Sequence, residues 1–186
     1  MTAALHMSRT DSATADRPTL EECYATHRAF VFHRCLRYGA GDVAFADEVT
    51  QEVFLKLWEH LPTLRETHDL GGWLNRVAAN LAISRLRRER SLLGKLHALW
   101  STADRADTDT ALRVVERKQV AGQVLDALRT LPARERVIIC MKLLDGASQR
   151  DIARTLEVSE GYVSKLIQRS MQRLAAAGWE VDDVEG

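Results

Sequence analysis

The chain has 186 residues, 46% of them hydrophobic and 28% charged, with only three prolines. That length holds one large domain or two small ones, and the composition fits a globular, helix-rich protein. Formal net charge is zero, which taken alone speaks against a nucleic-acid binder. The charges, however, are segregated. Residues 41–69 carry seven acids against two bases, residues 84–95 five bases against one acid, and the segment after Gly178 only acids. A neutral total therefore conceals surfaces of opposite sign. The cysteines Cys23, Cys35 and Cys140 are odd in number and form no C-x-x-C pair, which predicts reduced thiols in a cytoplasmic protein. Cys23 and His27 stand one helical turn apart, but no second ligand pair follows at metal spacing, so neither metal nor cofactor is expected. No apolar run is long enough to span a bilayer, and the N-terminus lacks a basic patch before an apolar core.

Residues 1–17 are small, polar and without period, and are expected to be a disordered extension. A domain over 18–90 follows. In "LEECYATHRAFVFHRCLRYGAG", Leu20, Cys23, Tyr24, His27, Phe30, Val31 and Arg34 recur at helical spacing until Gly39 and Gly41. In "DVAFADEVTQEVFLKLWEHL", Val43, Ala46, Val49, Val53, Leu57 and His60 form one stripe, which Phe54, Trp58 and Leu61 widen, and Pro62 marks its end. A loop then leads to "GGWLNRVAANLAISRLRRER". At 100° per residue, Leu74, Val77, Ala78, Leu81 and Ala82 fall on a core face. Trp73, Arg76, Asn80, Ile83 and Arg87 fall on the other, and Arg85, Arg88 and Arg90 crowd its C-terminal end. Arginines in a last turn suit the helix dipole. The sharper reading is a strip that tracks a phosphate backbone and offers an aromatic plane and an amide to an unstacked base.

Residues 91–110 read as an interdomain linker, whose apolar half "SLLGKLHALW" could form a short docked helix. A second helical domain is expected over 111–176, with "ARERVIICMKLLDG" as a helix closed by Asp145-Gly146, and an acidic tail over 177–186. Within it, Ser148 and Asp151 have capping-box spacing with Asp in place of Glu. Ile152, Ala153 and Leu156 form the inner face of a short helix. A turn follows, and Ser159 caps a second helix with Val163, Leu166, Ile167, Ser170 and Leu174 inward. That is the spacing of a helix-turn-helix, whose second helix enters the major groove by its N-terminal end. Its outward residues Tyr162, Ser164, Lys165, Gln168 and Arg169 mix base readers with phosphate anchors. Glu157 stands where a left-handed glycine is expected, at a cost of roughly 1 kcal/mol. The fold class is therefore all-α, two small helical domains joined by a flexible linker, the C-terminal one containing a helix-turn-helix.

Three stretches together resemble the extracytoplasmic-function (ECF) group of bacterial RNA polymerase sigma factors, in the sigma-70 family. "ADEVTQEVFLKLWEHL" is similar to the polymerase-clamp helix, "WLNRVAANLAISRLRR" to the promoter-melting helix, and "LRTLPARERVIICMKLLDGASQRDIARTLEVSEGYVSKLIQRSMQRL" to the domain that reads the −35 element. The resemblance implies that Asp47, Glu48, Gln51 and Glu52 dock on the basic clamp helices of the polymerase largest subunit, where an acidic surface suits its partner. It implies that Trp73, Arg76 and Asn80 lie near the −10 element, that Arg85, Arg87 and Arg88 hold the backbone, and that the loop Pro62–Gly71 captures a flipped base. It implies that Tyr162, Ser164, Lys165, Gln168 and Arg169 face the −35 duplex. An anti-sigma protein is a further implied partner. Thr50, Ser84 and Tyr162 depart from the family pattern, and they bear on which promoter is read.

The implied function is an alternative sigma factor that recruits core polymerase to promoters and aids melting. No P-loop, H-E-x-x-H or nucleophile elbow is present, so no catalysis is expected. Two other readings are a polymerase-independent helix-turn-helix regulator and a protein–protein adaptor. The acidic helix and the Trp73–Arg76–Asn80 strip separate the first reading from both.

Overall fold

The computed structural model describes residues 18–61, 69–99 and 117–179, and every described element is helical. The expectations for residues 1–17, for the loop residues 62–68, for the second half of the linker and for the tail from residue 180 lie outside the described residues.

Helix α1 (Leu20–Tyr38) begins in a capping box. The Glu22 amide donates to the Thr19 hydroxyl at 3.2 Å, and the Thr19 amide to the Glu22 carboxylate at 2.8 Å. A turn through Gly39–Gly41 reverses the chain into α2 (Val43–His60), capped by Asp42. Helix α3 starts at Leu70 with Asp69 accepting from the Gly72 amide at 3.0 Å. A Cβ at position 72 would collide with that carboxylate, so the second glycine of the pair keeps the cap close.

Cys23, Val31, Cys35 and Tyr38 of α1 are buried with Phe45, Ala46, Val49, Val53, Phe54 and Leu57 of α2 and Leu74, Ala78 and Leu81 of α3. The periodicity misplaces several neighbours. Tyr24 and Phe30 are exposed rather than internal, because they flank the buried stripe: Tyr24 lies edge-on against Phe54, and Phe30 lies beneath the Arg34 guanidinium. Val43 and Trp58 are also exposed. Phe45, Cys35 and Tyr38 take the inner places.

The largest correction concerns α3, which runs from Leu70 to Leu99, 30 residues. The arginines are therefore mid-helix and not terminal, and 91–99, where a linker able to form a separate short helix was expected, continues α3 itself. The physical reason is local: Leu, Lys and Ala after Arg90 are good helix formers, and no proline interrupts them. Residues 100–116 remain for the connection.

The second unit comprises α4 (Arg117–Thr130), α5 (Ala133–Ile139), α6 (Gln149–Leu156) and α7 (Glu160–Ala176). Helix α5 widens into a π-helical turn over Cys140–Leu144 that ends at Asp145-Gly146. The caps match the sequence reading. Ser148 accepts from the Asp151 amide and Ser159 from the Tyr162 amide. Glu157 is left-handed, φ 54°. Ile152, Ala153, Leu156, Val163, Leu166, Ser170 and Leu174 are buried, with Ile167 partly so. Glu135, which pattern reading passed over, is buried too and ties α5 to Arg173 of α7 at 3.2 Å.

The two units are not held apart. Helix α3 packs against α5 and α6 as well as α1 and α2. Asp145, whose side chain is 2% exposed, accepts from Arg34 at 2.7 Å and Arg37 at 2.5 Å. Arg34 also donates to Asn75 of α3 at 2.9 Å. The Cys140 thiol donates to the Arg37 carbonyl, and Arg129 to the Ala40 carbonyl at 3.0 Å. Gly41, φ 83°, leaves room for Leu125 of α4: a Cβ there would lie 2.8 Å from its methyl. Removing one member of so buried an ion pair costs about 3–5 kcal/mol, because the partners stay charged.

Candidate nucleic-acid and polymerase interfaces

The face of α3 left open by four neighbouring helices is narrow. Asn80, Ser84, Arg87 and Arg88 are exposed along it, and Trp73 is half-buried at its start, edge-on to His60 at 6.0 Å. These residues recur at helical steps, so an aromatic plane, an amide, a hydroxyl and two guanidiniums share one surface. Three residues placed with them in the sequence reading are engaged elsewhere. Ile83 is buried, because the second unit covers α3 on that side. Arg76, two turns before Ile83 on the same side, pairs with Glu157 at 2.7 Å. Arg85 turns toward α2 and pairs with Glu48 and Glu89.

Beside the first turn of α3 lies an open depression of about 460 Å³, lined by Glu22, Cys23, Thr26 and His27 of α1 and by Asp69 and Gly71. Residues 62–68, the greater part of the expected base-capturing loop, lie outside the described residues.

On α2, Asp47 is half-buried and 3.9 Å from Arg28, Glu48 pairs with Arg85, Gln51 is exposed and Glu52 half-buried. The acidic group is thus partly neutralised within its own domain. Leu55 and Trp58, 58% and 63% exposed, continue the outward stripe from Gln51 at steps of four and three. Sequence reading assigned Trp58 to the core and passed over Leu55. The step from Gln51 was the available signal.

On α7, Tyr162, Ser164, Lys165, Gln168 and Arg169 are all exposed. The Arg134 guanidinium of α5 sits 5.9 Å from the Tyr162 ring, near enough to hold that ring by a cation–π contact. Arg134 was not among the sequence candidates. Ser159 caps the start of α7 by accepting from the Tyr162 amide at 3.2 Å, and the N-terminal end of a helix favours a phosphate.

Burial governs the thiols. Desolvation pushes Cys35 up to about 11 and Cys140 up to about 12, the latter with help from the Asp145 charge. Tyr38 is raised by the same cause. Among the described residues no three His, Cys, Asp or Glu side chains gather as a metal site.

The family model described as Sigma-70 region 2 matches residues 23–92, and that described as Sigma-70, region 4 matches residues 121–174, about two thirds of the chain together. The ECF RNA polymerase sigma factor SigL of Mycobacterium tuberculosis is 29% identical over 166 residues, 88% of this chain and 90% of that protein. SigM of the same organism is 28% identical over 86% of this chain and 77% of its own length. BldN of Streptomyces coelicolor is 27% identical over 77% and 54%. Among solved structures, the sigma factor RpoE of Bartonella quintana, in complex with the anti-sigma factor NepR, superposes with a TM-score of 0.58 at 17% identity. It covers 84% of this chain and 94% of that one. CnrH in complex with the cytosolic domain of CnrY gives 0.54 at 20%, over 85% and 86%. These two likenesses show the fold. With both sigma-70 regions matched in order along an all-helical chain, and with curated relatives aligned over most of its length, the chain belongs to the ECF group of the sigma-70 family and is an RNA polymerase sigma factor.

Proposed function

We propose that this sigma factor divides its work among three surfaces. The outward face of α2, Asp47, Glu48, Gln51 and Glu52 extended by Leu55 and Trp58, meets the basic clamp helices of core polymerase. The α3 strip, Trp73, Arg76, Asn80, Arg87 and Arg88, takes the opened −10 strand, with Arg85 steadying α2 instead of contacting DNA. The depression beside Asp69 and Gly71 seats a flipped base. The exposed face of α7 reads the −35 duplex, with Arg134 supporting Tyr162.

The observation that carries this reading is the α3 strip. A helix that only packs has no need of Asn80, Arg87 and Arg88 on an uncovered face beside an acidic helix, and neither does a simple repressor. The work is binding and positioning, without covalent chemistry, and it takes place in the cytoplasm. Among the described residues no helix is long and apolar enough to cross a membrane. A protein partner of the anti-sigma kind fits the family. The test is run-off transcription from a promoter library with purified core polymerase and this protein. A promoter-dependent transcript is expected. Failure to bind core together with absence of any such transcript would overturn the reading.

A further inference from the structure

Arg34 and Arg37 meet a carboxylate, Asp145, where the two units join. Farther along α3 the junction gathers charge of one sign. Arg136 of α5 is half-buried there, with Arg90 and Glu89 of α3 and Arg129 near the end of α4 among its charged neighbours. The nearby acids are already taken. Glu89 pairs with Arg85 at 3.2 Å, and Asp126 with Arg129 at 2.7 Å. Arg129 also donates to the Ala40 carbonyl at 3.0 Å. Arg90 is exposed and has no carboxylate partner among the described residues. Arg136 donates through Nη2 to the Arg129 carbonyl at 2.9 Å, which fixes its guanidinium. Its Nε is buried without a hydrogen bond. Burial lowers the Arg136 pKa from its ordinary value, and the charges of Arg90 and Arg129 lower it further. A guanidinium still stays charged near neutrality. Two cations, one held in place, thus share the contact between α3 and α5 with no carboxylate to neutralise them.

We propose that Arg90 and Arg136 form a binding site for a small anion that carries a terminal phosphate. A terminal phosphate is close to dianionic at neutral pH and offers three acceptor oxygens, so it matches two guanidiniums in charge and in geometry. A backbone phosphodiester brings one charge and a sugar on either side, and fits a half-buried junction less well. Each charge-assisted hydrogen bond is stronger there than in open water. The bound anion turns repulsion between α3 and α5 into attraction, so its binding adds to the stability of the folded chain. The site uses no residue assigned above to polymerase or to DNA, and does not depend on that assignment.

The test follows the thermal midpoint of the full chain against inorganic phosphate and pyrophosphate. Ionic strength is held constant with chloride, so that general screening does not contribute. A saturable rise is expected. Arg90→Gln, at an exposed position with no ion pair to lose, should weaken the apparent affinity at least about tenfold, the value of one charge-assisted hydrogen bond. Arg136→Gln should do the same; should that half-buried change unfold the chain, Arg90→Gln decides alone. Arg150→Gln, the same loss of charge at an exposed position of α6, should leave the affinity unaltered. A nucleoside monophosphate should raise the midpoint in the same Arg90-dependent way, and the bare nucleoside should not. Tighter binding of the monophosphate than of phosphate identifies an organic phosphate as the ligand, and parity identifies the free ion. No rise, a rise that does not saturate, or an equal rise in Arg90→Gln overturns the site. An oligonucleotide without a terminal phosphate that gives the same Arg90-dependent rise overturns the ligand class.

Discussion

Glu157 and Arg76 lie 81 residues apart in sequence and meet at 2.7 Å, and the same glutamate holds a left-handed backbone at φ 54°. An exposed pair of this kind contributes at most about 1 kcal/mol, while a non-glycine residue at positive φ costs about 1–2 kcal/mol. Glu157→Gly relieves the second while losing the first and adding chain entropy to the unfolded state. Its stability in urea is expected within about 1 kcal/mol of the parent. Glu157→Val, β-branched in the same backbone, is expected to fall below Glu157→Gly by more than about 1 kcal/mol. Equal midpoints for the two would contradict the assigned turn.

Asn80 is exposed and its side chain makes no hydrogen bond among the described residues, so Asn80→Ala should leave the thermal midpoint nearly unchanged, within about 0.5 kcal/mol. Open-complex formation, followed by permanganate reactivity of melted thymines, should fall by roughly tenfold, the value of one lost hydrogen-bonded contact. Binding of a −35 duplex should change little. Equal loss in both assays counts against the role of Asn80 on the opened strand.

Lys165 projects from the solvent face of α7. Lys165→Ala should weaken duplex binding and lower the slope of log affinity against log salt by about one, the signature of one lost phosphate contact. A weakened but salt-parallel line would make Lys165 a base reader instead.

The raised thiols give a pH prediction with a fixed sign. Cys35 and Cys140 stay protonated in the folded chain up to about 11 and about 12, whereas exposed thiols ionise near 9.0. Their contribution to stability is full below the unfolded value and declines as pH rises through it toward the folded values. Denaturant midpoints should therefore fall above pH 9, less steeply in Cys35→Ala. In native protein at pH 8 all three cysteines should resist iodoacetamide, and in denaturant all three should react. Rapid alkylation of the native chain would mean that the core is not closed over them.

Local chemistry was readable in advance wherever one helix decides it alone. Ser148, Ser159 and Glu157 sit as their spacing predicts, because caps and a left-handed turn depend on a few neighbouring residues. The five α7 candidates are exposed for the same reason. Ile83 was misjudged because a single helical wheel has two faces, whereas α3 has neighbours on three sides, and the Glu157 partner of Arg76 comes from too far along the chain for that wheel to report. Trp58 was misjudged in the opposite sense, since an aromatic at core spacing is ordinarily internal. Asp145 reads in sequence as a plain helix stop. Its two arginines come from α1, more than a hundred residues away, and no local pattern reports such a pairing. The extent of α3 was missed through attention to Arg90 as an end, when nothing after it forbids another two turns.

That extent sets a ruler for DNA. A helix of 30 residues is about 45 Å long, and the residues 100–116 that follow can stretch to roughly 60 Å at most. However the units are placed, the start of α4 can stand no farther than that from the end of α3. Two DNA segments gripped by one molecule can therefore lie no farther apart than the chain between the gripping surfaces allows. Each base pair inserted between them adds about 3.4 Å of rise, so tolerance to a longer spacer should end abruptly where the tether runs out, and trimming residues from 100–116 should move that limit in step.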